Sequence, residues 1–240
     1  MVYHGITAQY EIAAVLLEDP PSRRTLLRRR LRRFGPLHLA GQLLFQVLCI
    51  PVLDWWSRSR HAEIKARYGL NDQPIPPAKI HAVPSVNSGA AIAWLQAQQP
   101  DVVVINGTRI LSAAVLESVP APFLNVHAGI TPAYRGVHGG YWAHARKDPH
   151  NCGVTVHLVD RGIDTGGILR QAPIHPTPAD DFTTYPLLQL AAGIPLLRQC
   201  LTDRSNGRLR PRPPATTGGH LFSHPTLWDY CYRRIFRGVR

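Results

Sequence analysis

Asn125 and His127 are the first residues in this sequence whose types and spacing could do chemistry, and Asp164 follows them in a glycine-rich segment. Together they supply an amide donor, an imidazole and a carboxylate. Acyl transfer to an amine needs such groups, because negative charge on the carbonyl oxygen must be stabilised and a proton must leave the amine. Each residue alone is weak evidence, since Asn and Asp are common in turns and most lone histidines are structural.

Two predicted strands must position these three residues. Residues 123–126 are predicted to form a short apolar strand, and residues 153–159 alternate between apolar and polar side chains as a half-buried strand does. Asn125, His127 and Asp164 therefore fall at or just beyond strand ends, which is where open parallel sheets build their sites. We expect the three side chains to converge around one cavity.

Segments of strand and helix length alternate along the chain. Residues 101–105 are a run of valines typical of a buried strand, and residues 12–17 and 80–83 are shorter candidates. Helices are predicted for residues 22–34, 57–68, 88–98, 112–119 and 181–201. The alternation predicts an α/β fold with a doubly wound, mostly parallel sheet.

Residues 204–240 differ in composition from the rest of the chain, because arginines, prolines and aromatic residues are interleaved there. We therefore divide the chain into an α/β domain, residues 1–203, and a basic C-terminal tail, residues 204–240. The tail is expected to dock on the domain. Contact between its aromatic and basic side chains and nucleic acid is the alternative.

Three separated segments resemble folate-dependent formyltransferases, a family that includes glycinamide ribonucleotide, methionyl-tRNA and sugar-amine formyltransferases. The segments are PDVVVINGTRIL (100–111), FLNVHAGITPAYRGVHGGYWA (123–143) and NCGVTVHLVDRGIDTGGILRQ (151–171). The resemblance is strong from residue 80 to residue 201 and faint before that. It implies a Rossmann-like fold and the transfer of a formyl group from 10-formyltetrahydrofolate, the co-substrate, to an amine.

The resemblance also implies roles for particular residues. Asn125, His127 and Asp164 would be catalytic, with a protonated His127 and Asn125 donating to the formyl oxygen and Asp164 favouring the charged imidazole. The folate would be held by the backbone of two loops, at Arg109, Ile110, Leu111, Val159, Asp160, Gly162 and Ile163. The residues expected to shape the acceptor side of the pocket are Tyr134, Arg135, Gly136 and His138.

Histidines and cysteines do not form a metal-binding pattern in this sequence. Five histidines lie close together in sequence, but no pair has the spacing of helical ligands and no acidic residue accompanies them at ligand spacing; they are His127, His138, His144, His150 and His157. We therefore predict no metal. The 4 cysteines are scattered, which is typical of reduced thiols, and we expect a cytoplasmic location.

The chain is strongly basic, with 27 Lys+Arg against 15 Asp+Glu and a net charge of +12. Such a surplus favours an anionic partner, and it is concentrated in residues 23–33 and in the tail. The apolar segment 37–56 follows the first cluster, but its polar interruptions make a membrane-spanning helix doubtful. Helices that cover the sheet, with arginines in solvent, are the favoured interpretation, and peripheral membrane contact is the alternative.

The sequence does not name a single amine acceptor. Glycinamide ribonucleotide enzymes of purine biosynthesis begin with a strand and a phosphate-binding loop that have no counterpart here, so we expect a truncated start. A small phosphorylated or nucleotide-linked amine is the favoured acceptor; nucleic acid is not expected as a partner. The alternatives are a non-catalytic folate- or membrane-binding protein on the same scaffold, a formyltetrahydrofolate hydrolase and a tRNA formyltransferase.

Overall fold

Strands and helices alternate in the computed structural model, which describes residues 1–213 and 219–240. The strands are β1 (Val15–Glu18), β2 (Ile80–Val83), β3 (Val103–Ile105), β4 (Phe123–His127), β5 (Tyr134–Gly136), β6 (Gly153–Leu158), β7 (Ile168–Pro173) and β8 (His220–Phe222). The α-helices are α1 (Val2–Thr7), α2 (Arg23–Phe34), α3 (Pro36–Leu44), α4 (Ile50–Trp56), α5 (Arg58–Tyr68), α6 (Gly89–Gln98), α7 (Ala113–Leu116), α8 (Gly139–Ala145), α9 (Tyr185–Ser205) and α10 (Leu227–Arg237).

The strands form three sheets. The largest has the order β3-β4-β6-β7, while β1 pairs with β2 and β5 pairs with β8. The pairs β1/β2, β3/β4 and β5/β8 are parallel, whereas β6 is antiparallel to both β4 and β7. The mostly parallel α/β prediction therefore holds, but the pair of strands that carries the predicted site, β4 and β6, is antiparallel.

The β4/β6 pair separates an apolar face from a polar face, because successive side chains of a strand point to opposite sides. On the apolar face Leu124 and Val156 are fully buried, and they pack against Leu197 and Cys200 of α9. Asn125 and His127 alternate with these residues and therefore lie on the other face of the sheet. Helix α9 thus supports the strands from behind and leaves their polar face to form a site.

Strand β3 differs from its prediction. The valine run was expected to be buried, but Val103, Val104 and Ile105 are all half-buried. In the described residues β3 forms strand hydrogen bonds only with β4, so its other edge is not covered by a neighbouring strand. Leu16 of β1 instead contacts the same apolar cluster as Val103 and Ile105, with side chains from α6 and α7.

Residues 36–56 form a continuous helical run in which a π-helical turn, Phe45–Cys49, joins α3 to α4. Within the described ranges, Pro36–Trp56 is the one stretch long and apolar enough to cross a membrane, with a mean hydropathy of 1.6 and only 22% of its most apolar window buried. Gly35, with a φ of 79°, ends α2 immediately before this run. The polar residues that interrupt this apolar segment in the sequence therefore do not interrupt the helical run.

The described part of the basic tail packs on the domain. Helix α9 extends to Ser205, β8 pairs with β5, and α10 is anchored by the buried Tyr230. Tyr230 lies in one cluster with Phe45, Tyr141, Phe182 and Tyr185. Residues 214–218 of the predicted tail lie outside the described residues.

Candidate active site

The register of β4 against β6 brings the polar side chains together. Asn125 lies opposite His157, and His127 lies opposite Thr155. Because the two strands are antiparallel and all four residues are on the same face, their side chains form one polar patch on the sheet. Asp164 reaches this patch from the loop between β6 and β7. The three residues singled out in the sequence thus lie around one cavity, of about 350 Å³.

Asp164 is held by its backbone conformation and by three neighbours. Its φ of 52° is in the left-handed region, which an aspartate seldom adopts. Oδ2 accepts a hydrogen bond of 2.8 Å from the backbone N–H of Gly136, and Oδ1 lies 3.4 Å from Nδ1 of His127 and 3.6 Å from Nε2 of His157. Burial opposes ionisation, but His157 and His127, when their rings are protonated, and the N–H of Gly136 favour the charged form, so the pKa of Asp164 lies below its ordinary value. The side chain is therefore a carboxylate at neutral pH.

His127 is buried, and burial lowers the pKa of its imidazole, although Asp164 and the carbonyl of Tyr134 oppose that shift. The ring is therefore neutral in the resting site at neutral pH, and the protonated His127 expected during the reaction stays a prediction. The neutral ring places its proton on Nε2, which donates to the Tyr134 carbonyl at 2.7 Å. Nδ1 then faces the Asp164 carboxylate without a proton. A proton that arrives at Nδ1 would gain a charged acceptor there.

His157 is a site residue that the sequence reasoning did not assign to the catalytic group. Its Nδ1–H donates to the carbonyl of Leu158 at 2.7 Å, so Nε2 is free to accept the amide N–H of Asn125 at 3.2 Å. This contact fixes the orientation of the carboxamide and leaves its second N–H for a ligand. The alternation of residues 153–159 predicted on which side of the strand the His157 side chain lies. Only the register of β6 against β4 shows that this side chain contacts Asn125.

The sequence profile of the formyl transferase family matches residues 62–187, which is more than half of the chain. The chain belongs to the formyl transferase family. A methionyl-tRNA formyltransferase of Trichlorobacter lovleyi is 34% identical over 150 residues, covering 62% of this chain and 45% of that protein. One from Sorangium cellulosum is 34% identical over 183 residues, covering 69% of this chain and 58% of that protein. The chain thus spans about half the length of these curated relatives.

Solved formyltransferase structures share the fold. A sugar N-formyltransferase from a Shewanella species superposes with a TM-score of 0.51 at 20% identity, covering 72% of both chains. The formyltransferase PseJ from Anoxybacillus kamchatkensis, solved with UDP-4,6-dideoxy-4-formamido-L-AltNAc and tetrahydrofolate, superposes with a TM-score of 0.54 at 22% identity, covering 67% of this chain and 82% of that chain. These likenesses confirm the predicted α/β, Rossmann-like fold.

The first loop that formyltransferase resemblance implies for the folate, Arg109 to Leu111, lines the cavity and is braced by two side chains. Glu18 accepts the backbone N–H of Arg109 at 2.9 Å and forms an ion pair with its guanidinium, and Asn87 donates to the carbonyl of Ile110 at 2.9 Å. The N–H of Arg109 and the carbonyl of Ile110 therefore already have partners inside the protein. Sequence reasoning did not identify Glu18 or Asn87 as supports of this loop.

The second loop, residues 159–164, closes on itself beside the cavity. The backbone N–H of Val159 donates to the carbonyl of Phe123 at 2.8 Å, which ties the loop to β4. Asp160 accepts the N–H of Gly162 at 3.0 Å and the hydroxyl of Thr165 at 2.7 Å. The predicted residues of this loop that line the cavity are Val159, Asp160, Gly162 and Ile163. Both predicted folate loops therefore border the same space as Asn125, His127 and Asp164.

Of the four residues predicted for the acceptor side, only Gly136 lines the cavity. Tyr134 is buried and donates its hydroxyl to Asp148 at 2.9 Å, and Arg135 donates to the carbonyl of Gly219 at 2.7 Å. His138 contacts His224, with 2.9 Å between Nε2 and Nδ1. The structure does not bring these three side chains to the cavity, because those of β5 pack beside β8 and His138 contacts His224. Their role toward an acceptor stays a prediction.

A metal site was not predicted, and within residues 1–213 and 219–240 no three potential ligands cluster as a metal would require. Another cavity, of about 400 Å³, lies between the segment 176–185, which leads into α9, and residues 237–240 at the end of the chain. It is lined by His144, Asp180, Tyr185 and Val239 among others, and it contains none of the residues predicted to be catalytic. The cavity beside β4 and β6 is therefore the candidate active site.

Proposed function

We propose that this chain transfers a formyl group from 10-formyltetrahydrofolate to a primary amine. The observation that carries the proposal is the convergence of Asn125, His127 and Asp164 on one cavity within the segment that matches the formyl transferase family. The alternative, a non-catalytic binding protein, requires none of these contacts. The proposal is also supported by the brace that His157 gives to Asn125, because a fixed donor is of use mainly for charge that develops during a reaction.

Formyl transfer forms a C–N bond to the amine and moves the π electrons of the formyl carbonyl onto its oxygen. The free N–H of Asn125 would donate to that oxygen, in a cavity where burial strengthens the hydrogen bond. The proton of the amine would pass to Nδ1 of His127, where the Asp164 carboxylate stabilises the resulting imidazolium. His127 would then return the proton to the nitrogen of the departing tetrahydrofolate as the bond between that nitrogen and the formyl carbon breaks.

The cavity fits the donor in size and polarity. Its volume of about 350 Å³ is within the range of small-molecule sites, roughly 300 to 1,000 Å³. Beside the two loops, the cavity is lined by apolar side chains that suit a flat heterocycle. These are Ile105, Leu111, Val137, Val159 and Ile163. The residues that would hold the pterin are therefore those of loops 109–111 and 159–163, through backbone groups and these apolar side chains.

The acceptor we propose is the amine of a small phosphorylated or nucleotide-linked molecule. The net charge of +12 supports an anionic acceptor. A second candidate is the amine of methionyl-tRNA, because relatives named as methionyl-tRNA formyltransferases are 34% to 38% identical to this chain. Purine biosynthesis through glycinamide ribonucleotide stays one form of the first candidate.

The test is an assay of tetrahydrofolate release from 10-formyltetrahydrofolate with four acceptors in parallel. The acceptors are glycinamide ribonucleotide, a UDP-linked amino sugar, methionyl-tRNA and water alone. Turnover is expected with one amine and is expected to be lost in Asn125→Ala and His127→Ala. The matched controls are the exposed Asn206→Ala and His150→Ala, which should keep full activity. Release with water alone would make the chain a hydrolase, and no release at all, with folate still bound, would support the binding protein.

A further inference from the structure

The helical run from Pro36 to Trp56 exposes large apolar side chains along one side. Leu37 is 74% exposed, Val47 69%, and Trp55 and Trp56 60% and 61%. Leu44, Leu48 and Val52 are also exposed. Single exposed apolar residues are ordinary on protein surfaces, but a contiguous set of this size marks a contact with another molecule or with a membrane.

The opposite side of this run belongs to the protein core. Phe45 is fully buried and Leu53 is nearly so, both in the cluster that holds Tyr230. The buried Gln42 donates to the carbonyl of His224 at 2.8 Å. These contacts would be lost if the run crossed a bilayer, so its length and hydropathy do not indicate a span. The run is instead fixed to the domain with its apolar side facing outward.

Helix α10 extends this apolar surface. The ring of Trp228 lies against Gly41, where an added Cβ would come within 2.3 Å of it, and Cys231 lies beside Cys49. Helix α10 therefore packs alongside the run. One turn further on, its outward side chains include Ile235, 71% exposed, and Phe236, 73% exposed.

Helix α2 adds positive charge at the border of the same surface. It contains seven arginines and no acidic residue, and none of its residues is buried. Phe34 stacks on His38 with ring centroids 5.1 Å apart, and Arg30 lies close enough to His224 to help lower its pKa. In the described part of the chain, no arginine of α2 forms an ion pair with an acidic side chain. We name the combined surface of α2, Pro36–Trp56 and α10 the helical face.

We propose that the helical face binds the surface of a bilayer that contains anionic phospholipid. Arginines would meet the head groups, while tryptophans and aliphatic side chains enter the boundary between head groups and acyl chains. A nucleic acid would use the arginines and some aromatic rings, but it has no use for exposed aliphatic residues such as Leu37, Val47 and Ile235. The helical face also lies outside the family match, so the inference does not depend on the proposed catalysis.

The test is co-sedimentation of the full chain with two kinds of vesicle. One is phosphatidylcholine with roughly one third phosphatidylserine, and the other is phosphatidylcholine alone. We expect binding to the first only, weaker at about 0.5 M than at about 0.01 M ionic strength. The tryptophan fluorescence should shift to the blue on binding, and this shift should be smaller when Trp55 and Trp56 are both replaced by phenylalanine, because Trp228 also lies on the helical face.

Two sets of variants separate charge from apolar contact. Replacing the exposed Arg24, Arg28 and Arg32 by glutamine should weaken binding roughly a hundredfold, since each arginine near such a surface is worth about fivefold. The control replaces Arg67, Arg208 and Arg210, which are exposed elsewhere, and should change binding only slightly.

The apolar set tests the aliphatic contact. Replacing Val47 and Val52 together by glutamine should weaken binding, whereas the control Leu17→Gln on β1 should not.

Three results would overturn the proposal. Equal binding to both vesicles would remove the role of the anionic head group. Tight binding of tRNA together with no binding of vesicles would make the helical face a nucleic-acid surface. A dimer in sedimentation that dissociates in the Val47→Gln and Val52→Gln variant, again without vesicle binding, would make it a contact between two copies of this chain.

Discussion

The candidate active site and the helical face reverse the usual arrangement of polar and apolar side chains in opposite ways. At the site, His127 and His157 are buried and each has polar partners. On the helical face, Leu37, Val47 and Phe236 are exposed. Both arrangements cost stability, because removal of polar groups from water and exposure of large apolar groups are each unfavourable, and such arrangements are often retained for a function. From this comparison we propose two separate functional surfaces, one inside the family match and one outside it.

The largest expected effect distinguishes the two sides of the helical run. Phe45→Ala should lower the free energy of unfolding by about 3 to 5 kcal/mol, because a fully buried ring is replaced by a cavity between the run and α10. Val47→Ala, two residues away, should change it by less than about 0.5 kcal/mol. Urea denaturation of both variants measures this. Equal losses would mean that Val47 is covered in solution, for example by a second copy of the chain.

The next effect separates turnover from stability. Asn125→Ala should reduce turnover about 10² to 10³-fold, since it removes the donor proposed for the formyl oxygen, while the midpoint of urea denaturation changes little. Trp55→Gln on the helical face should leave turnover unchanged. The measurement is tetrahydrofolate release beside a denaturation curve for each variant. Unchanged turnover in Asn125→Ala would remove the carboxamide from the proposed chemistry.

A third prediction compares two glycines that share a left-handed backbone. Gly136 has a φ of 90°, and an added Cβ would lie 2.4 Å from the carbonyl oxygen of Phe222. Gly136→Ala should therefore displace the N–H that holds Asp164 and reduce turnover by about a hundredfold, the order of loss for a small misplacement of a reacting group. Gly35, with a φ of 79°, has no atom within 4 Å of such a Cβ.

Gly35→Ala is therefore the matched control for Gly136→Ala. With a ψ of 168° it carries backbone strain of roughly 1 to 3 kcal/mol without the collision, and it lies between α2 and the helical run instead of at the site. Turnover should stay at the level of the unsubstituted chain in this control. A similar loss of turnover in both variants would show that strain alone, transmitted through the fold, explains the effect of Gly136→Ala.

Local patterns in the sequence predicted many of the elements and most of the cavity. An apolar run gave β4, alternation gave β6 and a valine run gave β3, and the resemblance gave Asn125, His127 and Asp164, which do lie around one cavity. Their catalytic roles stay predictions. Strand direction could not be predicted in the same way, because an alternating strand reads alike whether its neighbour is parallel or antiparallel. The role of His157 depends on that register and was therefore missed.

The placements that the sequence analysis did not foresee arise from contact between segments distant in the chain. Tyr134, Arg135 and His138 were expected beside the acceptor, but β8 and the residues around it occupy them. A tail that differs in composition can still supply a strand and a core aromatic residue such as Tyr230. Neither pairing leaves a local pattern that a reader of the sequence could use.

The smallest expected effect concerns the contact between the two regions. His138 follows β5 near the site, His224 is bonded to Gln42 of the helical run, and the two rings share one hydrogen bond. Burial lowers the pKa of His138 to about 3 and that of His224 to about 4, from an ordinary value of 6.5. Both rings are therefore neutral in the folded protein well below the pH at which they take up protons in the unfolded chain.

The sign of the pH dependence follows from this difference. Above pH 6.5 neither state is protonated at these rings, and their neutral contact contributes in full. As the pH falls from 6.5 towards 4 and 3, the unfolded chain binds protons that the folded protein does not, so the free energy of unfolding decreases.

The urea midpoint should therefore be lower at about pH 5 than at about pH 7.5. His138→Gln should reduce the decrease, whereas the exposed His150→Gln should not. Because the buried His127 and His144 add to the decrease in every variant, only the difference between these two substitutions tests the pair. If that difference is zero, the pKa of His138 is not lowered in the folded protein and the pair makes no contribution to the pH dependence.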